Sequence, residues 1–292
     1  MSSPIGAGSG ADLYFKLENQ QHTGSFKARG AFNKLLSLES AALAHGVITA
    51  STGNHGAAVS YAARELGIVA RVVVPGNADA GKVAAITALG GTVLVHGEDS
   101  AVAETYARAL AEREELPFVS PYNDLDVAAG QGTAGVEITR QLEGVEAVFI
   151  ALGGGGLLAG VGAWIRSMRP DTEIIGCSPA NSAVMIHSLR AGEMLELESK
   201  PTLSDGTAGG VERDTMTFGW CRELANDLVT VSEKEIRQAM RLVYETHGLA
   251  VEGAAGVAVA GFLGQAERWR NRRVVAILCG GNVSSAVLRS VL

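Results

Sequence analysis

The sequence predicts an α/β protein with open, mostly parallel twisted sheets flanked by helices. Three observations carry that expectation. Short apolar runs with strand character alternate with helical stretches, the pattern of successive strand–helix units. The 37 glycines suit many short strand-to-helix turns. A chain of 292 residues, 47% hydrophobic, can build one large domain or two smaller ones with substantial cores.

In chain order, residues 2–10 are small and glycine-rich, and are expected to be irregular. Residues 12–18 alternate as a strand. A polar loop at 19–24 follows, and Ser25 fits the N-cap of a helix running through Leu36. Strands at 47–50, 70–75 and 92–95 are each followed by a helix, ending near Leu66, Leu89 and Glu115. A second set contains strands 147–152, 173–177 and 273–278, with helices near 214–225, 233–247 and 252–266. No repeat or low-complexity linker marks a domain boundary.

Net charge is −7 with a pI near 5.4, and the basic residues are scattered, which argues against nucleic acid as a partner. No apolar run reaches membrane-spanning length and no signal-peptide pattern opens the chain, so the cytoplasm is the expected location. Cys177, Cys221 and Cys279 are odd in number and far apart, which suggests free thiols in a reducing compartment. Neither a CxxC pair nor HExxH is present, so zinc has little support.

The chemistry centres on Gly153, Gly154, Gly155 and Gly156, followed by Leu157, between a strand and a helix start. Such a turn lets backbone N–H groups approach a ligand, and the helix N-terminus adds partial positive charge, so the run reads as a phosphate site. It reads alternatively as a tight packing turn. A dinucleotide site needs an acidic residue after the next strand, and residues 177–179 offer none. No Gly-Lys-[Ser/Thr] follows the glycines, which excludes the usual P-loop. A phosphate-bearing cofactor without a ribose fits better. Pyridoxal phosphate is one, and it needs a lysine amine. Lys27 stands just past a Gly-Ser loop at a helix start, although a lone helical lysine also reads as a solvated surface charge. Four loops follow predicted strands, at 22–27, 51–56, 153–157 and 279–282, where open α/β sheets bind ligands.

Residues 16–19 with 23–31, which contain Thr-Gly-Ser-Phe-Lys, resemble the lysine motif of the pyridoxal-phosphate-dependent serine/threonine dehydratases, the fold type II family that includes serine racemases. Further matches stand in the family's order: Ser-Thr-Gly-Asn-His-Gly at 51–56, Ala-Gly-Gln-Gly-Thr at 129–133, the glycine run, Val-Glu-Gly-Ala-Ala at 251–255, and Cys-Gly-Gly-Asn at 279–282. The resemblance covers residues 12–292. It implies a large cofactor-binding domain of residues 1–40 and 126–292, a small inserted domain of 41–125, and the cofactor in the interdomain cleft.

The resemblance also implies roles. Lys27 would bond the cofactor and later move the substrate's α-proton, with Ser51 and Thr52 as further catalytic candidates. Phe26 would pack on the ring and Asn54 would bond its phenolic oxygen. Gly153, Gly154, Gly155, Gly156 and Leu157 would hold the phosphate through backbone N–H groups. Ser51, Thr52, Gly53, Asn54 and His55 would grip the substrate carboxylate. Ser51 reads equally as a helix N-cap, and His55 as a structural histidine. Gly206 lies in the small-residue loop 204–210, assigned beside the cofactor and substrate. Glu252 would stand near the ring, or simply complement a helix dipole. Cys279 would face the ring nitrogen, where many other pyridoxal-phosphate enzymes have Asp. A thiol cannot keep that nitrogen protonated, which favours losing a β-hydroxyl as the α-proton leaves.

Three features depart from the family pattern. Thr52 takes a position that is Ala in many dehydratases and Ser in the racemases. Ser178 and Val184 stand where cation-dependent members supply carboxylates, so no divalent cation is expected there. The stretch before the first strand is shorter than in the family, and the chain stops soon after Asn282, so a feedback regulatory domain is not expected. The expected function is a dehydratase turning a β-hydroxy-α-amino acid such as L-threonine or L-serine into a 2-oxo acid and ammonia, acting as a cytoplasmic homodimer. The alternatives are a serine/threonine racemase, a dehydratase for phenylserine or 3-hydroxyaspartate, and a non-catalytic cofactor-binding protein.

Overall fold

The computed structural model describes all 292 residues, which divide into two compact units. Unit 1 is Met1–Phe26 with Gln131–Leu292, and unit 2 is Lys27–Gly130. Strands β1 (Ser2–Ser3) and β2 (Asp12–Leu17) open the chain. Unit 2 follows with α1 (Lys27–Ser37), β3 (Val47–Ala50), α2 (Asn54–Glu65), β4 (Ala70–Val74), α3 (Ala80–Ala88), β5 (Thr92–Val95), α4 (Ser100–Arg113) and the start of α5 (Leu125–Gln141). The rest of unit 1 is β6 (Ala147–Ala151), α6 (Gly156–Met168), β7 (Glu173–Pro179), α7 (Val184–Ala191), α8 (Met216–Leu224), β8 (Asp227–Val231), α9 (Glu233–His247), α10 (Gly253–Gly264), β9 (Arg273–Leu278) and α11 (Ser285–Val291).

Unit 1 is built on a six-stranded sheet in the order β1-β2-β9-β6-β7-β8, parallel except for β1. Strands β7 and β8 extend from one side of β6, and β9 and β2 from the other. The carboxyl ends of β6 and β9 therefore flank the point where strand order reverses, which is where open α/β sheets leave a crevice. Behind it, α10 is apolar on every side and buried from Gly253 to Phe262, as a helix threading a core must be. Phe149 on β6 meets Phe262 and Trp269 edge-to-face, at centroid distances of 5.8 and 5.9 Å. Helix α9 instead buries one stripe, Ile236, Ala239, Met240 and Val243, and starts with a Ser232–Glu235 capping box.

Unit 2 has a three-stranded parallel sheet, β3-β4-β5. Residues 117–119 run alongside β3 as a further parallel edge, with Ile48 N donating to Pro117 O (3.0 Å) and Val119 N to Ile48 O (2.8 Å). Because neighbouring strand residues face opposite ways, Val47 joins Ala31, Leu35, Ala58 and Ala62 on one face, while Ile48 joins Ala103, Ala107 and Leu110 on the other.

The boundaries differ from those expected. The sequence assigned residues 27–40 and 126–130 to the large domain, yet they lie in unit 2. The reason is packing: Ala31 and Leu35 of α1 complete the core formed by Val47, Ala58 and Val59. Gly130 lets α5 lie against α1, since a Cβ there would come 2.7 Å from the Gly30 backbone and 2.8 Å from Asn33 Cβ. Gly132 does the same for α6, where a Cβ would lie 2.9 Å from Gly160 O. The motif at 129–133 is thus a helix-packing motif in each unit, and its glycines hid α5 from a periodicity reading. Strand β8, α7 and α11 were also not anticipated, and residues 2–10 form β1 and a 3-10 turn instead of irregular chain. Ser25 does not cap α1. The helix begins at Lys27, and the Ser25 hydroxyl is buried without a hydrogen-bond partner.

Candidate active site

In unit 1 the glycine run leaves the carboxyl end of β6. Gly155 is the N-cap of α6 with φ +88°, a left-handed conformation that glycine adopts without cost, and no side chain caps the helix. Two partners from α8 hold this turn. Thr217 Oγ1 donates to Gly154 O (2.7 Å), and Cys221 Sγ contacts Gly155 O (3.7 Å). In a planar trans peptide the N–H points opposite to the C=O. Tying the carbonyls of Gly154 and Gly155 to α8 therefore turns the N–H groups of Gly155 and Gly156 to the other side. The missing side chains also serve packing. A Cβ on Gly153 would come 2.9 Å from Thr207 Cα, and one on Gly155 would come 2.8 Å from Cys221 Sγ. The same turn thus combines close packing with main-chain N–H groups that no side chain covers.

The other unit 1 residues expected at the site gather near the end of β9. Cys279 follows that strand at 2% exposure, and its carbonyl accepts from Phe26 N (3.0 Å). Ser25 bridges Gly280 in antiparallel fashion, and Gly281 N donates to Gly24 O (2.9 Å). These bonds fix the half-buried Phe26 beside the strand end. Glu252 is buried (6% exposed) and is the N-cap residue of α10 without a side-chain capping bond, so its carboxylate does not serve the helix in that way. A side chain on Gly280 would overlap that carboxylate, and Gly206 lies close by, its Cβ position 3.7 Å from Glu252 Oε1. The structure thus brings Gly206, Glu252 and the 279–281 turn together. Ser178 donates to Leu152 O (2.5 Å), and Val184 is buried at the start of α7.

In unit 2, Lys27 is the first residue of α1 and its Nζ donates to Pro121 O (2.7 Å). Two residues earlier, Val119 O accepts from Thr49 Oγ1 (2.8 Å) and His55 Nε2 (2.9 Å). Since a carbonyl only accepts, Nε2 carries the His55 proton, and buried Nδ1 has no partner. Burial pushes the His55 pKa down to about 3, with the Lys27 charge adding to the effect. His55 is therefore a neutral structural histidine. Ser51 caps no helix: α2 starts at Asn54 with Gly53 as N-cap, and Ser51 Oγ accepts from Gly53 N (3.2 Å) inside the loop. Thr52 and Asn54 are half-buried. The first turn of α2 has no acidic residue and no side-chain cap, which leaves its N–H groups suited to an anion.

Sequence reasoning missed Thr217, Cys221 and Pro121. Each acts across a long chain separation, and only Thr217, at a helix start with a hydroxyl, carried any local signal.

A glycine-built anion cradle at a reversal of strand order, and a lysine amine at the carboxyl end of a second parallel sheet, define an α/β enzyme that uses a phosphorylated carbonyl cofactor. The donor set fits such a group, with uncapped N–H groups at the α6 N-terminus and no acid in its first turn. Residues 2–280 match the family described as pyridoxal-phosphate dependent enzyme, and the chain belongs to that family, with pyridoxal phosphate as its cofactor. It is 39% identical over 284 residues to the chloroplastic biosynthetic threonine dehydratase 2 of Solanum lycopersicum, covering 97% of this chain and 48% of that relative. The solved processed form of threonine deaminase isoform 2 from that plant superposes with a TM-score of 0.94 at 38% identity, covering 98% of this chain and 84% of that one. The L-threonine ammonia-lyase of Thermotoga maritima is 38% identical over 291 residues, covering 100% of this chain and 72% of the relative. Serine racemase from Dictyostelium discoideum superposes with a TM-score of 0.90 at 34% identity, covering 97% of this chain and 92% of that one. The chain thus spans about half the length of the tomato relative and 72% of the bacterial one.

Proposed function

We propose that the chain removes water from a β-hydroxy-α-amino acid, L-threonine or L-serine, and releases a 2-oxo acid and ammonia. One observation carries the reading. The Lys27 amine and the 51–55 loop both belong to the carboxyl end of the unit 2 sheet, through the carbonyls of Pro121 and Val119. A base beside an uncapped helix N-terminus suits an amino acid held by its carboxylate. The names of the dehydratase and ammonia-lyase relatives support the same reaction.

In this reading, pyridoxal phosphate supplies the electron sink that weakens the substrate's bond to its α-hydrogen. Backbone N–H groups of Gly153, Gly154, Gly155, Gly156 and Leu157 hold the phosphate, Phe26 packs on the ring, and Asn54 bonds its phenolic oxygen. Gly206 and Glu252 border the ring. Ser51, Thr52, Gly53, Asn54 and His55 hold the substrate carboxylate, with His55 contributing backbone because its ring is committed to Val119 O. Lys27 Nζ takes the α-proton and returns a proton to the departing β-hydroxyl, which leaves as water. Cys279 would face the ring nitrogen, where a thiol would not hold a proton as a carboxylate does, and so would favour loss of the hydroxyl together with the α-proton. The unsaturated amine left behind is hydrolysed to oxo acid and ammonia. The test is release of 2-oxo acid from L-threonine, L-serine, 3-hydroxyaspartate and phenylserine. Release from the first two is expected, and release from none of the four would sink the proposal.

A racemase reading is favoured by one residue, Thr52, which takes the position that is Ser in the racemases and carries a hydroxyl that could act as an acid/base, and by the likeness to the Dictyostelium racemase. Chiral analysis separates the two, since racemisation preserves the amino acid. We further infer a homodimer in the cytoplasm. Three buried free cysteines support the reducing compartment, and no helix is long and apolar enough to cross a membrane. Sedimentation and fractionation test both points.

A further inference from the structure

A second lysine on α1 repeats the gesture of the first. Lys34 lies seven residues after Lys27, two helical turns on, so the two share one face of α1. Both reach the same short segment of chain. Lys27 donates to Pro121 O, while Lys34 Nζ pairs with Asp124 Oδ2 (2.8 Å) and Asp126 Oδ2 (3.0 Å). The side chains of Lys34 and Asp124 are 15% and 14% exposed, so solvent screens this pair less than an ordinary surface ion pair. Burial alone would lower the Lys34 pKa, yet the bonds to Asp124 and Asp126 outweigh it and hold the amine charged. Asn33 adds a bond from Nδ2 to Asp126 O (2.7 Å).

Asp124 has a second task. Its Oδ1 accepts from Asp126 N (2.8 Å) and Val127 N (3.1 Å), capping α5 while Oδ2 holds Lys34. Ser120 Oγ accepts from Asn123 N (3.1 Å), closing the turn that carries Pro121. Residues 120–126 are therefore pinned at both ends, to the edge of β3 through Val119 and to α1 through Lys34.

We infer that Lys34, Asp124 and Asp126 form a clamp that positions the Lys27 amine through the Pro121 carbonyl. An amine that must bond an aldehyde carbon and later take an α-proton works only if its lone pair is aimed. One N–H fixed on Pro121 O limits the directions left to that lone pair, and the clamp fixes Pro121. These are positioning residues: none is assigned to touch substrate or cofactor. The inference rests on the reading of Lys27 as the cofactor's lysine.

The test compares wild type with Lys34→Met, Lys34→Arg and Asp124→Asn, each stripped of cofactor. Two quantities are measured. The first is the rate at which added pyridoxal phosphate attaches to Lys27, where the amine nitrogen bonds the aldehyde carbon and water leaves. The second is the affinity for 4′-deoxypyridoxine phosphate, which has no aldehyde and reports the folded phosphate and ring site alone. Lys34→Met and Asp124→Asn are expected to slow attachment on the order of tenfold to a hundredfold. Deoxypyridoxine phosphate affinity should hold within about twofold, and Lys34→Arg, which keeps the charge, should recover much of the rate. Lys16→Met, which removes an unrelated lysine pairing with Glu18 and Glu137, controls for simple loss of an ion pair and should attach at the wild-type rate. Attachment at the wild-type rate in Lys34→Met would overturn the clamp, as would a parallel loss of deoxypyridoxine phosphate binding. Wild type that attaches no cofactor at Lys27 would overturn the clamp together with the reading beneath it.

Discussion

At the end of β6 the groups offered to a ligand are backbone N–H groups, aimed by two bonds from α8. Beyond the 117–119 edge of the unit 2 sheet stands a lysine amine, held by the Pro121 carbonyl in a segment that Lys34 ties through Asp124. What unit 1 presents at that strand end is thus largely main chain and absent side chains, whereas what unit 2 presents includes reactive side chains. Main-chain geometry tolerates little change of shape, because a Cβ at Gly153 or Gly155 meets buried atoms at once. A side-chain array tolerates shape changes better but depends on each group's chemistry. Substitutions in unit 1 should therefore act first on cofactor retention and stability, and those in unit 2 on the rate of the chemistry.

The sharpest break is Lys27→Ala. Removing the base and the attachment amine should cut 2-oxo acid release by on the order of 10³-fold or more. Binding of 4′-deoxypyridoxine phosphate should persist, because the phosphate donors are untouched. Loss of that binding as well would show that the contrast between the two units is wrong.

Gly155→Ala attacks unit 1. Alanine at φ +88° costs about 1–2 kcal/mol, and its Cβ would press on Cys221 Sγ at 2.8 Å, adding about 1–3 kcal/mol of overpacking. Denaturant midpoints should fall, and deoxypyridoxine phosphate affinity should fall with them. Thr217→Val is milder. It keeps the shape but leaves Gly154 O without its hydroxyl donor, at a cost of about 1 kcal/mol. Titration should show cofactor affinity reduced several-fold, with little change in turnover at saturating cofactor.

The same contrast explains what the sequence revealed. Strands such as 147–151 and 273–278 were legible because both faces are buried and the residues are almost all apolar. The glycine run was legible because four glycines in a row have few uses. Helix α5 was hidden because Gly130, Gly132 and Gly135, which let it lie against its neighbours, look locally like a loop. The half-exposed edge strand β8 lacked the apolar run that marked the central strands. The roles of Thr217, Pro121 and Lys34 depend on partners 63, 94 and 90 or more residues away, and nothing in their local sequence announces them. The hydroxyl of Ser25 misled for the opposite reason. It has the right type and place for an N-cap, but strand-like pairing with Gly280 holds it out of that role.

An effect confined to acid concerns His55, where a side chain of unit 2 serves structure. Its ring is 3% exposed, donates to Val119 O, and stays neutral down to a pKa of about 3, against an ordinary value of 6.5. Below pH 6.5 the unfolded chain binds a proton that the native protein refuses, so acid favours unfolding. The stability that neutral His55 protects is complete above pH 6.5 and is lost as the pH falls toward 3, at up to about 1.4 kcal/mol per pH unit. Glutamine can donate an amide hydrogen to the same carbonyl and does not titrate. Relative to its own stability at about pH 7, His55→Gln should therefore lose roughly 2 kcal/mol less than wild type by about pH 5, read from urea unfolding. Equal acid slopes in the two proteins would mean that His55 is protonated in the native state, and its ring would then be available to the substrate carboxylate instead of being committed to the fold.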